Sequence, residues 1–178
     1  MLPSLSWPVA LIFFLASVTA SAQESLHYQA PPDWIQIEAA SPPKLDHYGL
    51  PRTPGDLEDA ELSVYYFVDN AVTVEATLEL WTNQMLQPDG RLPSEMASTT
   101  SFDVANLSVT VLDVPGIYSA EVQPNSGMHY YKRNFRLKAA VVETPEGPYF
   151  FKLTGPSQTV ADSEVEFNAL LANLSFQQ

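Results

Sequence analysis

From Phe135 onward the side chains alternate in a way that commits this stretch to extended structure. Phe135, Leu137, Ala139 and Val141 fall on one side of the chain, and Lys132, Asn134, Arg136 and Lys138 fall on the other. The chain turns at Thr144-Pro145-Glu146-Gly147 and returns through Tyr149–Thr154, so Phe135–Glu143 and Tyr149–Thr154 are predicted as an antiparallel hairpin. The same period of two runs through Glu61–Val68. There Leu62, Val64, Tyr66 and Val68 share one face, and Tyr65 and Phe67 make the other face partly buried. Ser101–Ala105 and Leu107–Val114 read as a strand pair around Asn106, and Trp34–Glu38 as a further strand. Pro31-Pro32, Pro42-Pro43 and Pro51-Arg52-Thr53-Pro54-Gly55 punctuate the first third, where short strands and turns are expected, because proline removes a backbone donor and pushes its predecessor out of the helical region.

Two segments carry the helical period instead. Val74, Leu78, Trp81 and Met85 lie on one face of a helix predicted over about Val72 to Leu86, which Gln87-Pro88-Asp89-Gly90 then stops. A second helix is predicted from about Gln158 to Leu174, its apolar stripe running from Val160 through Phe167, Leu170, Leu171 and Leu174. Gly155-Pro156-Ser157 opens it, Ser157 or Thr159 is expected to cap it, and Asp162 and Glu164 suit the positive end of its dipole. About six strands and two main helices in this order make an α+β fold with a mostly antiparallel sheet.

The N-terminus reads as a targeting segment. Val9–Val18 is an apolar run of signal-peptide length, too short for the roughly 20 residues of a membrane span, and Ala20 and Ala22 fit an A-x-A cleavage site. Residues 1–22 are therefore read as a signal peptide and 23–178 as one domain, with cleavage after Ala22. The segment before the apolar run has no Lys or Arg, which leaves an uncleaved anchor or atypical leader as the alternative. The expected address is outside the cytoplasm, periplasmic or extracellular.

Charge and cysteine count narrow the chemistry. Eight Lys and Arg against 21 Asp and Glu give a net charge of -13, which argues against nucleic acid and anionic membranes as partners. With no cysteine there is no disulfide framework and no thiolate chemistry.

The run Phe135–Phe176, with GPYFFKLTGPSQTV at Gly147–Val160 followed by an amphipathic helix, resembles a family of uncharacterised exported bacterial proteins similar to PsbP-like proteins. Pro32-Asp33-Trp34, Asp59–Val64, Val74-Glu75-Ala76 and the DVPGIY run at Asp113–Tyr118 fit the same resemblance. It departs in the first helix, where an Asn and an Arg-Trp pair are expected and the chain has Thr77 and Leu80-Trp81. The resemblance implies an antiparallel sheet with helices on its faces, and accessory or assembly factors without catalysis.

No catalytic residue is assigned. The Gly-x-Ser-x-Gly elbow is absent, and His27, His47 and His129 are dispersed, none in H-E-x-x-H. No metal site and no cofactor are expected. Asp56, Glu58, Asp59 and Glu61 lack the alternating ligands and turn glycine of a calcium loop and read as solvated carboxylates. Five of the basic residues, Lys132, Arg133, Arg136, Lys138 and Lys152, lie in the predicted hairpin. Arg133, Arg136, Lys138 and Lys152, with Tyr131, form the candidate ligand or partner surface. The bland alternative is a solvent-facing strand whose charges discourage edge pairing.

Two functions follow. The preferred one is an exported, non-enzymatic accessory or binding protein of the bacterial envelope, whose partner is an envelope protein or a small anionic ligand. The other is an envelope hydrolase or metal-dependent enzyme with a dispersed His and carboxylate site. Mass spectrometry of the protein recovered from the envelope tests the N-terminal reading: it should begin at Gln23, and a product retaining Val9–Val18 would overturn it.

Overall fold

The predicted hairpin lies at the centre of the molecule, not at an edge. The computed structural model describes residues 25–38, 42–67, 72–123 and 126–177, so the N-terminal segment read as a signal peptide lies outside the described residues. In chain order the strands are β1 (Ser25–His27), β2 (Ile35–Ile37), β3 (Lys44–Leu50), β4 (Ala60–Tyr66), β5 (Met85–Leu86), β6 (Ser98–Val104), β7 (Leu107–Tyr118), β8 (Lys132–Thr144), β9 (Gly147–Pro156) and β10 (Ser175–Gln177). The helices are α1 (Val74–Asn83), α2 (Pro93–Met96), α3 (Ser157–Asp162) and α4 (Glu164–Ala172). The main sheet runs β2-β3-β4-β9-β8-β7, with β6 and β5 following each other along the outer side of β7, and every pairing is antiparallel. A separate two-stranded sheet joins β1 to β10.

The class is α+β, as the hydrophobic periods require, with eight strands in the main sheet where about six strands were expected. The added main-sheet strands are β3 and the short β5; β3 carries Asp46, His47 and Gly49 and is bounded by prolines, so its alternation is weak in the sequence. The two hairpins fall where their turns predict. Ala105 and Asn106 both take positive φ, 48° and 65°, as a tight two-residue hairpin turn demands.

Both faces of the sheet are covered. Leu62, Val64, Val109, Val111, Ala140, Val142, Phe151 and Leu153 pack on one face with Val160, Phe167, Leu170, Leu171 and Leu174 from the C-terminal helices. Leu112, Val114, Leu137, Ala139, Val141 and Phe150 pack on the other face with Trp81, joined by Val74 and Leu78 of α1. Burying a side chain such as Phe151 or Phe150 stabilises the fold by about 1.5–3 kcal/mol, so these two layers hold most of the favourable energy.

Helix α1 begins where Thr73 accepts a hydrogen bond from the Ala76 amide at 3.1 Å, and it ends earlier than its apolar spacing predicts. Met85 belongs to β5, paired with Tyr118, and reaches the same core from a strand instead of a fourth helical turn. The second predicted helix is two helices divided at Ser163, whose hydroxyl donates to the Thr159 carbonyl at 2.9 Å. Its stripe continues unbroken across the division.

The expected cap at Ser157 or Thr159 is replaced by a long-range one. No side chain of α3 caps it, and Asp56 accepts from both the Thr159 amide (3.0 Å) and the Thr159 hydroxyl (2.6 Å). The Thr53 hydroxyl donates to Asp162 at 2.6 Å, so the Pro51–Asp59 loop is fastened along α3. Asp56 thus departs from the reading of the acidic stretch as solvated, whereas Asp59, which accepts from the Arg52 amide, and Glu61, 3.3 Å from His47, are exposed, and Glu58 pairs with Lys132. Beside it, Gly155 must be glycine, because a Cβ there would lie 2.4 Å from that of Ala60. Asp56→Ala should lower stability by about 1–2 kcal/mol in urea unfolding, as loss of a cap does, with Asp56→Asn recovering part of it; an unchanged midpoint would remove this role.

Candidate functional site at the Arg133 end of the sheet

The residues chosen from the hairpin do not form one surface. Strand alternation sends Arg136 and Lys138 to the face that α4 covers and Lys152 to the face that α1 covers, while Arg133 and Tyr131 lie at the end of the sheet. The alternative of a solvent-facing edge strand is also corrected. β8 and β9 are interior strands, and Lys138 is only 5% exposed.

Arg136 and Lys138 belong to an ion cluster with Asp113 of β7 and Glu164 at the start of α4. Arg136 Nε donates to Asp113 at 2.7 Å, Lys138 Nζ donates to Glu164 at 2.6 Å, and Lys138 and Asp113 are 3.4 Å apart. Burial alone would raise the Asp113 carboxyl, but the Arg136 hydrogen bonds and the charges of Arg136 and Lys138 hold it below the usual carboxylate range. The cluster pins α4 to the sheet.

Lys152 has no carboxylate within 4.0 Å among the described residues. Its ammonium donates to Gln84 Oε1 at 2.6 Å and lies 5.3 Å from the Trp81 ring centroid and 5.4 Å from that of Tyr118. Tyr65, 6.3 Å from Trp81, carries the Lys44 ammonium over its own ring at 5.7 Å.

Two open clefts of the described residues adjoin Arg133. Near the end of β7 and β8 the register slips between Gly116 and Tyr118, and Asn134 takes φ 55°, so β8 bulges at Arg133 and Asn134 before pairing resumes between Tyr118 and Lys132. Gln87 Nε2 donates to the Met85 and Pro115 carbonyls at 3.0 and 2.8 Å and holds β5 against this end of β7. One cleft of about 360 Å³ lies between Gln87, Ile117, Arg133 and Ser157, and a second of about 500 Å³ lies between Leu57, Tyr131, Arg133 and Pro156.

Arg133 lines both clefts, and no carboxylate of the described residues lies within 4.0 Å of its guanidinium. The acids nearby are committed, Glu58 to Lys132 and Asp56 to Thr159. Leu57 is 92% and Tyr131 67% exposed at the rim, an apolar and aromatic margin around an unpaired cation. A larger groove of about 650 Å³ runs between residues 27–33 and α4. Two of its polar groups are engaged in the fold, Glu166 accepting from Trp34 Nε1 and Asn173 donating to the Ala169 carbonyl, and His27, Gln29 and Asp33 also line it.

Sequence reasoning found Arg133 and Tyr131 but missed Leu57, Gln87 and Gln84. Leu57, an isolated apolar residue within the acidic stretch, was the available signal. The three histidines stay on separate elements: His27 on β1, His47 on β3, and His129 in a bridge to Glu121. Among the described residues no three His, Asp or Glu side chains gather as a metal-holding group. No helix of the described residues is long and apolar enough to cross a membrane.

Asp113→Asn should cost about 1.5–3 kcal/mol at neutral pH, because it removes the charged hydrogen bonds to Arg136 and Lys138 and leaves both to Glu164 alone. A carboxyl lowered in the folded state contributes above its unfolded value, about 3.9, and loses that contribution as pH falls through its folded value. Urea unfolding should therefore show the gap between wild type and variant narrowing below about pH 4; a gap independent of pH would count against the cluster.

No protein-family model and no curated protein sequence matches the chain. Its fold is similar to that of LpqN of Mycobacterium tuberculosis, a protein involved in cell envelope biogenesis, with a TM-score of 0.52 and 11% identity over 87% of this chain and 84% of that one. Protein PA94 of Pseudomonas aeruginosa, of unknown function, is similar at TM-score 0.49 and 11% identity, over 90% of this chain and 88% of that one. Cyanobacterial PsbP (CyanoP) from Synechocystis is similar at TM-score 0.47 and 11% identity, over 90% of this chain and 96% of that one. At this identity the likeness to LpqN is one of fold.

Proposed function

We propose that this chain is an exported, non-enzymatic accessory protein of the bacterial envelope that docks an acidic segment of a partner protein at the Arg133 end of its sheet. The observation that carries this reading is an uncompensated guanidinium between two clefts, rimmed by Leu57 and Tyr131, on a chain of net charge -13. Arginine and tyrosine in such a setting are the side chains that dominate docking energies, and a carboxylate offers the guanidinium a bidentate partner. The signal-like N-terminus and the resemblance of Phe135–Phe176 to exported PsbP-like proteins support the address. So does the fold shared with LpqN.

The partner sits over the two clefts, its carboxylate on Arg133 and an apolar side chain against Leu57 and Tyr131. Arg136 and Lys138 support the fold beneath. Co-purification of the tagged mature chain from its own envelope fraction tests this. Arg133→Glu combined with Tyr131→Ala should lose the captured partner at least about tenfold, the size of effect a rim-to-centre hot spot produces, while the melting temperature stays within about a degree of wild type. Equal recovery of the partner by this variant would sink the proposal.

A further inference from the structure

Among the described residues the main sheet has one long free edge. β2 closes the far side with three residues behind Pro31-Pro32, and β5 offers only two. β6 has seven, Ser98–Val104, paired in unbroken register with β7 on one side and with no described strand on the other. Six of the seven are exposed and Val104 is half-buried; the Phe102 ring is 42% exposed. Free edges of this length are ordinarily blunted by proline, lysine or a bulge, and β6, Ser-Thr-Thr-Ser-Phe-Asp-Val, has none of these.

The hairpin turn decides which backbone groups that edge presents. A two-residue turn at Ala105-Asn106 makes Val104 and Leu107 a hydrogen-bonded pair, so every second residue back from Val104 bonds to β7, and Thr99, Ser101 and Asp103 point their N–H and C=O groups outward. Among the described residues no backbone group meets those six. A second β6, laid antiparallel with a two-fold axis through Ser101, meets all six at once. Thr99 then faces Asp103 of the second copy, Ser101 faces its own counterpart, and Thr100 faces Phe102, an aromatic and β-branched pair. Charge agrees with this register. Asp103, the one charged side chain of the strand, lies opposite a threonine, and the two Asp103 stand about 14 Å apart along the strands, beyond the ~10 Å Debye length at 0.1 M salt. On the α4 face the two exposed Phe102 rings become diagonal neighbours, a separation that aromatic side chains reach across.

We propose that β6 is a self-pairing edge, through which two copies of this chain join as a two-fold dimer with one continuous sheet. A strand paired with itself closes after two copies and leaves no edge of this length exposed. The contact consists of six backbone hydrogen bonds and the paired Phe102 rings, so the dimer is reversible and not obligate. It forms against the net charge of -13 on each chain, so salt strengthens it. The edge borders Leu107–Asp113 of β7, away from the Arg133 bulge opposite Gly116–Tyr118, and the dimer stands whether or not the clefts dock a partner.

Sedimentation equilibrium of the full mature chain tests it. The weight-average mass should rise towards twice that of one chain between about 1 and 500 µM, the range of a reversible dimer, and the dimer should tighten as salt is raised from about 0.05 to 0.3 M. Ser101→Pro removes only an outward-pointing N–H and spares the ladder with β7, and Ser101→Lys sets two like charges directly across the axis. Each should weaken dimerisation at least about tenfold, while the Thr100 and Phe102 amides keep the protection from hydrogen exchange that pairing with β7 gives them. In the wild-type dimer the Thr99, Ser101 and Asp103 amides should be protected too, and they should exchange freely in dilute solution. A chain monomeric throughout this range, or a dimer that both variants leave unchanged, would overturn the proposal. So would protection of those three amides only when envelope extract is added to a monomeric chain, a result that assigns the edge to a strand of another protein.

Discussion

The molecule depends on a pair of strands that must be apolar on both faces at once. β8 and β9 have neighbours on both sides and helices above and below, so Ala140, Val142, Phe151 and Leu153 serve one core while Leu137, Ala139, Val141 and Phe150 serve the other. Backbone groups in such strands find partners only in the ladder, and an apolar sheet face is stable only when something covers it. Hence α1 and α4 occupy opposite faces, and the remaining strands extend the sheet outward from this pair. The two core layers meet across a single sheet, so a change in one is felt through β8 and β9 by the other.

This double cover decides what charged side chains on the same strands can do. Arg136 and Lys138 lie where the α4 face meets solvent, and they are tolerable there because β7 and α4 bring Asp113 and Glu164 to meet them. Lys152 lies on the opposite face with aromatic rings in place of carboxylates, and the same desolvation makes it weakly basic. Arg133 lies in the bulge between the Gly116–Phe135 and Tyr118–Lys132 pairs, at the mouth of a cleft. Four basic residues of one hairpin thus have three electrostatic fates, set by which layer each one faces.

The sequence reveals most where a single period governs a whole segment. The β8–β9 and β6–β7 hairpins and the apolar stripe through Phe167 and Leu171 follow directly from spacing. The end of α1 does not, because Met85 satisfies the helical stripe equally well as a buried strand residue, and only its pairing with Tyr118 separates the two. β1 and β10 are three residues each and exist by virtue of each other, across almost the whole chain. For the same reason, Asp56 reads as a loop carboxylate until α3 is placed beside it. The positions of Arg133 and Tyr131 are legible as basic and aromatic; the absence of a counter-ion at Arg133 belongs to three-dimensional space.

The pairing of β1 with β10 also governs when this chain can become itself. The first strand waits for the last, β4 finds its second neighbour only in β9, and Trp34 reaches Glu166 across 132 positions. Contacts so distant in sequence require most of the loop-closure entropy to be lost before they give anything back, which places such topologies among the slow folders. A nascent or threading chain of this kind stays open until its C-terminal helices emerge. For a protein read as leaving the cytoplasm, that delay is a kinetic window in which it can still be passed through a pore as an extended polypeptide.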